Sequence, residues 1–495
     1  MSTRLPVPPA PGPLEDYVVQ FDALFATLAQ RRNFRDYLRG LLLPRDRNKT
    51  LTALAGAEPI VQAQAAPVQR LQFFLSESPW DLPAVTEQRL SILLTDPATR
   101  PHEEGVLIID ETGDRKDGTQ TAHVARQYLG SLGKVAHGIV AVTSLWADER
   151  LYYPLHVEPY EPAQRLPKGK QDPAFRTKPQ IGMGLVDAAL TAGIPFRAVV
   201  ADCIYGESAA FEGALWAAGL PYVVGLRPSK GTWAPAEDPH TPQEAAQRLR
   251  WNGADDPQDW TPVVRRFRDG DRQTWWAAEL TLAGYGPDKP TRLVVATTDP
   301  STLPEPSTWY LATNLPRPSS APAEEWPVEP ADLAEVVRLY GLRNWVEQSY
   351  KQAKHQLGWA DFQVRQDAGI RRHWELVCCA FAFCWWARFR HPEATVGSRA
   401  EPPPVGSPAP GAERAEARSV RFAGEAAAGE KSDGRSLRRT DLRCRGRARG
   451  DGLVAQGPAP GTRLADPLEF SLALLASVER LAPTTVTPGL ARCSG

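Results

Sequence analysis

Tyr340, Arg343, Glu347 and Lys354 follow one another at steps of three, four and seven residues. Read as one helix turning about 100° per residue, segment 340–354 brings all four side chains within an arc of about 60°. One narrow stripe then carries a carboxylate flanked by a phenol and two cations. A carboxylate is a hard oxygen ligand for a divalent metal, and cations beside it hold phosphates. Such a stripe standing alone is also what a solvated helix face looks like. Its chemistry depends on whether other elements bring further acids to it.

Two acids qualify. Asp110 closes the apolar run 105–110, and Asp202 closes the run 196–202. Both runs read as buried strands, so each acid is expected at a strand end. Glu103, Glu104, Glu111, Asp114 and Asp117 compete with Asp110 by proximity. Asp110, Asp202 and Glu347 together form a ligand set for two Mg2+ or Mn2+ ions. Two such ions clamp the attacking and leaving oxygens of an in-line phosphoryl displacement. Attack by water cuts a DNA strand, and attack by a DNA 3′-hydroxyl joins two strands.

The elements needed to position these acids are readable. After 105–110, strands are expected at 135–144 and 151–157, a helix at 179–191, and a strand at 196–202. A helix at 207–218 and a strand at 221–227 follow. The order β-β-β-α-β-α-β, with acids closing the first and fourth strands, is that of the ribonuclease-H-like fold: a mixed sheet with flanking helices. Residues 101–227 and 307–391 are assigned to this catalytic domain. Between them, 228–306 is rich in Pro, Asp and Trp, with alternating runs at 263–267, 274–280 and 291–296. It reads as a β-rich insertion subdomain. A strand at 307–314 leads back to the core, and an apolar helix is expected at 368–389.

The ends differ from this middle. Residues 1–13 are a Pro-rich tail, read as disordered. Residues 14–100 show helical spacing and carry Arg31, Arg32, Arg35, Arg39, Arg45, Arg47 and Lys49. They read as an all-helical DNA-binding domain. After His391 the chain turns to Pro, Gly, Ala, Arg and Glu, so 392–495 reads as a low-complexity, mostly disordered tail. The shift is sharp enough to suggest a frame-shifted or non-homologous extension.

The net charge is −1, so any DNA-binding surface must arise from local segregation of charge. The six cysteines show neither paired metal spacing nor a disulfide framework, which suits a reducing cytosol. The start, Met-Ser-Thr-Arg-Leu-Pro, lacks the apolar core of a secretory signal, and no apolar run is long enough to span a membrane. A cytoplasmic, nucleoid-associated protein is expected.

Several segments together resemble the DDE transposases of bacterial insertion sequences, in the group whose third acid lies in a Y-R-E-K signature. Residues 108–118 resemble the first-acid motif and 124–134 the segment after it. Residues 200–206 resemble the second-acid motif, and 347–358, running on to Phe362 and Arg365, the third. The resemblance covers about residues 14–391. It implies that Tyr340, Arg343 and Lys354 grip the terminal phosphates of a transposon end, with Lys351 beside them. It implies that Trp309 stacks on a base flipped from the duplex, and that Arg126 and Lys134 meet DNA backbone or brace the sheet. A DNA hairpin intermediate and a homodimer on terminal inverted repeats and target DNA are implied as well. The alternatives are a defective transposase remnant that only binds DNA and a stand-alone nuclease of the same fold. A remnant should have lost one of the three acids, and all three stand.

Overall fold

A computed structural model describes residues 6–45, 48–57, 64–231, 241–267, 271–280, 291–318, 326 and 328–390. The tail expected at 392–495 lies outside the described residues. Of the tail expected at 1–13, residues 1–5 lie outside them too.

The chain opens with helices α1 (Pro13–Val18), α2 (Leu28–Leu42), α3 (Leu51–Leu54), α4 (Ala66–Ser76) and α5 (Leu82–Thr95). Helix α2 starts at a capping box. The Thr27 hydroxyl accepts the Gln30 N–H at 3.1 Å, and the Gln30 side chain accepts the Thr27 N–H at 3.0 Å. Its apolar stripe, Phe34, Tyr37, Leu38 and Leu41, is fully buried.

Next come β1 (Val106–Arg115), β2 (Ala125–Leu129), β3 (Lys134–Ala147), β4 (Tyr152–Pro159), α6 (Lys178–Thr191) and β5 (Ala198–Ala201). They are followed by α7 (Cys203–Gly206), α8 (Ala209–Ala217), β6 (Tyr222–Leu226) and α9 (Pro242–Gln247). Strands β7 (Thr261–Arg266), β8 (Arg272–Leu280), β9 (Arg292–Thr297) and β10 (Thr308–Thr313) lead to α10 (Leu333–Leu342), α11 (Asn344–His355) and α12 (Asp367–Arg390).

The central strands run β4-β3-β1-β5-β6. β1 is antiparallel to β3 and parallel to β5, which is parallel to β6. This mixed arrangement fits the ribonuclease-H-like fold. One strand was not expected: segment 125–129 forms β2, which pairs with the first residues of β3.

The insertion does not build a sheet of its own. β10 pairs antiparallel with β6, and β9, β8 and β7 continue outward in one sheet. The reason is the open edge of β6, which β10 covers with main-chain pairs. Helix α10 lies over this extension, where Val337 packs with Val263, Trp275, Ala277 and Ala296.

Helix α12 is apolar on several sides because it packs on several sides. It lies against β4 on one flank and α2, α4 and α5 on others. Arg89 of α5 is fully buried and donates to Glu375 at 2.7 Å, to Pro154 O at 2.9 Å and to Leu155 O at 2.6 Å. The N-terminal helices therefore share one continuous hydrophobic core with the sheet.

Candidate active site

The parallel register sets two acids side by side. Ile109 pairs with Ala201, and Ala201 with Val224. The next residues are Asp110, Asp202 and Gly225, level with one another at the carboxyl ends of three parallel strands, where ligands of open α/β sheets bind. Asp202 follows β5 directly and caps α7, accepting the Ile204 N–H at 3.0 Å. Asp110 departs from expectation, because β1 does not end there. It runs on to Arg115, paired with β3 alone, and Asp110 marks the point where β5 stops.

The 340–354 stripe is carried by two helices rather than one. They meet at Arg343, whose backbone stays helical (φ −56°, ψ −28°) but whose flanking hydrogen bonds tighten to the i→i+3 pattern. The path crosses the strand ends. A Cβ at Gly225 would lie 2.5 Å from the Tyr340 hydroxyl, so Tyr340 rests over β6. Arg343 Nη2 donates to Asp110 Oδ2 at 2.7 Å and lies 4.0 Å from Asp202 Oδ2. Further along, Lys354 Nζ reaches Asp114 Oδ1 at 2.7 Å and Gly113 O at 3.1 Å. The Tyr350 hydroxyl meets Thr143 Oγ1 of β3 at 2.6 Å. Glu347 and Lys351 are exposed.

Burial dominates the electrostatics. It pushes the Asp110 carboxyl up to about 7; Arg343 opposes the rise and Asp202 adds to it. Burial also pushes the Tyr340 phenol up to about 12. For Arg343, burial works against the charge. Asp110 first, then Tyr340, Asp202 and Glu347 outweigh it and hold the guanidinium firmly protonated. Glu347 thus belongs to the same electrostatic neighbourhood as buried Asp110 and half-buried Asp202.

Asp110 and Asp202 suit a hard divalent ion: adjacent oxygen donors, now bridged by a cation. Among the described residues, no three His, Cys, Asp or Glu side chains are gathered closely enough to hold a metal. The sequence expectation of three convergent carboxylates is therefore met by two, with Glu347 one helical turn beyond Arg343. Glu111 lies beside the pair, bound by Lys178 at 2.5 Å, with its Oε2 buried and without a partner.

Trp309 lies on β10, half-buried, its ring 5.1 Å from that of Tyr340 and 4.4 Å from that of Trp275. Arg126 and Lys134 are exposed on the β2–β3 hairpin. Its tip is tied to β1 by Ser131, whose hydroxyl donates to Gly113 O at 2.6 Å. No sequence pattern points to Lys178 or to Arg265, whose guanidinium lies over the rings of Trp309, Trp275 and Phe267. Among the described residues no helix is long and apolar enough to cross a membrane.

A family model described as DDE superfamily endonuclease matches residues 20–281, a span that holds Asp110 and Asp202 but not Glu347. The chain is also 33% identical over 360 residues to a protein of Microchaete diplosiphon named probable transposase for insertion sequence element IS701. That likeness covers 72% of this chain and 83% of the relative.

Proposed function

The chain belongs to the DDE superfamily of endonucleases, among the transposases of insertion sequences; from that premise we propose that it cuts double-stranded DNA at the terminal inverted repeats of its element and joins the freed 3′ ends to target DNA. The observation that carries this reading is the register that sets Asp110 beside Asp202, bridged by Arg343 from the helical path that also bears Glu347.

Asp110, Asp202 and Glu347 are the residues that would hold two divalent ions, Mg2+ or Mn2+, which supply positive charge to the attacking and leaving oxygens of phosphoryl transfer. Arg343 pairs with Asp110 and lies near Asp202 in the free protein, and would become available to a DNA phosphate when their charge is met otherwise. Lys351 and Lys354 extend the cationic line along the stripe, and Tyr340 offers its hydroxyl at the strand ends. Arg126 and Lys134 meet DNA backbone from the β2–β3 hairpin. Trp309 offers a ring face to a base drawn out of the duplex, which makes room for a hairpin intermediate. A homodimer holding two DNA ends completes the reading.

The test is cleavage of a duplex bearing the element's own terminal repeats, with Mg2+, by wild type and by Glu347→Gln. Glu347→Gln should retain DNA binding and lose cleavage. Cleavage that survives the substitution would sink the assignment.

A further inference from the structure

Most buried or half-buried arginines among the described residues are matched by acids, and Arg372 by the carbonyls of Leu75 and Trp80. Arg35 meets Glu15 and Asp22, Arg197 meets Glu335, Arg292 meets Glu279 and Arg371 meets Glu158. Arg265 on β7 departs from the rule. No carboxylate or carbonyl among the described residues hydrogen-bonds or ion-pairs with its guanidinium. Its surroundings are aromatic: the guanidinium carbon lies 4.4 Å from the Trp309 ring centre, 4.5 Å from Trp275 and 5.0 Å from Phe267. Burial lowers its pKa only to about 10, so it stays charged at neutral pH.

Removing a cation from water without a counter-ion is unfavourable, and ring faces offset only part of that. Rings touch the face of a guanidinium and leave its in-plane N–H donors free. The helix makes room as well. A Cβ at Gly341 would lie 3.2 Å from Arg265 Nη2, so α10 passes close beside the guanidinium where it has no side chain. Trp309 links this cage to Tyr340, over the strand ends that carry Asp110 and Asp202.

We propose that Arg265, caged by Trp275 and Trp309, is the seat of a DNA backbone phosphate beside the cleavage site. This rests on the DNA-end reading above and deepens it. The insertion then contributes directly to substrate binding: β7 and β8 bring Arg265 and Trp275 against Trp309 of β10.

The test uses the full chain and a fluorescent duplex of the element's terminal repeat in EDTA, with anisotropy followed from about 50 to about 200 mM salt. Arg265→Gln should bind about ten- to hundredfold more weakly. The slope of log affinity against log salt should fall by about one, and Arg265→Lys should restore it. The melting temperature of Arg265→Gln should hold or rise, since no ion pair is lost. Replacing phosphates singly by methylphosphonate should reveal one position that weakens wild type and leaves Arg265→Gln unchanged. Two results overturn the proposal alone: wild type that binds, and cuts once Mg2+ replaces EDTA, while Arg265→Gln matches its slope and affinity, or a binding loss explained by a lowered melting temperature. Wild type that binds no terminal-repeat duplex overturns the DNA-end reading together with it.

Discussion

Asp110 is an unfavourable charge in the free protein, and the consequence can be measured. Burial carries its pKa from 3.8 to about 7. A carboxyl so displaced binds its proton about 4 kcal/mol more tightly in the folded chain than in the unfolded one. Below about pH 4 both states hold the proton and Asp110 has no effect on the balance. Between about 4 and about 7 the unfolded chain releases it first, so stability falls as pH rises; above about 7 the full penalty stands. Asp110→Asn is neutral throughout. It also leaves Arg343 without its carboxylate, so the sign at low pH is open, but its stability relative to wild type should rise as pH climbs from about 4 to about 7 and level off above, read from urea unfolding in EDTA. Adding Mn2+ at the higher pH should narrow the gap, because only the wild-type carboxylate gains a ligand that stabilises the native state. Curves that stay parallel across this range would refute the reasoning.

Other outcomes follow from single contacts. Arg89→Met or Glu375→Gln leaves a buried partner unpaired and should cost about 3–5 kcal/mol in urea unfolding; a loss under about 1 kcal/mol would contradict the buried pair. Gly225→Ala puts a Cβ against the Tyr340 hydroxyl and should destabilise by about 1–3 kcal/mol, less in a Tyr340→Phe background, as a double-mutant cycle would measure. Trp309→Ala should slow cleavage of an intact duplex more than that of one with an unpaired base at the scissile end, and equal slowing would exclude a stacking role. Terminal-repeat DNA should bind more tightly with Ca2+ than in EDTA, and Arg343→Gln should weaken that coupling; unchanged coupling would exclude Arg343 as its carrier.

Asp110 and Asp202 are legible in the sequence for a physical reason. Ala198–Ala201 is apolar because it is covered on both faces, so the first polar residue after it, Asp202, must lie where cover ends. Asp110 is legible for the same reason on its β5 side, although β1 itself runs on. The partners of the cations are another matter. Lys354 meets Asp114 only because the α11 path follows β1, and no local pattern encodes that crossing. Likewise the alternation at 263–267 fits a strand, but that β7 joins the main sheet depends on the open edge of β6. Which rings Arg265 meets depends in turn on the registers of β8, β9 and β10. The helical spacing of the first hundred residues is local and readable. That α12 lies between those helices and β4 is foreshadowed only by its apolar circumference.

Charge arithmetic ties the site's cations to its acids. Asp110, Asp202 and Glu347 sum to three negative charges when ionised, and Arg343 returns one positive. A DNA phosphate brought to Arg343 would raise the negative excess again, in a place where burial already makes Asp110 hard to ionise. Backbone at the strand ends should therefore bind more tightly when further positive charge arrives with it. Divalent ions held by the acids would supply that charge and leave Arg343 available to a phosphate, so each ligand should favour the other by the same factor. The Tyr340–Lys354 stripe then has two sets of partners for one set of side chains. Arg343 and Lys354 hold carboxylates in the free protein and would turn to phosphates in a DNA complex, because both are anionic oxygens that suit the same donors.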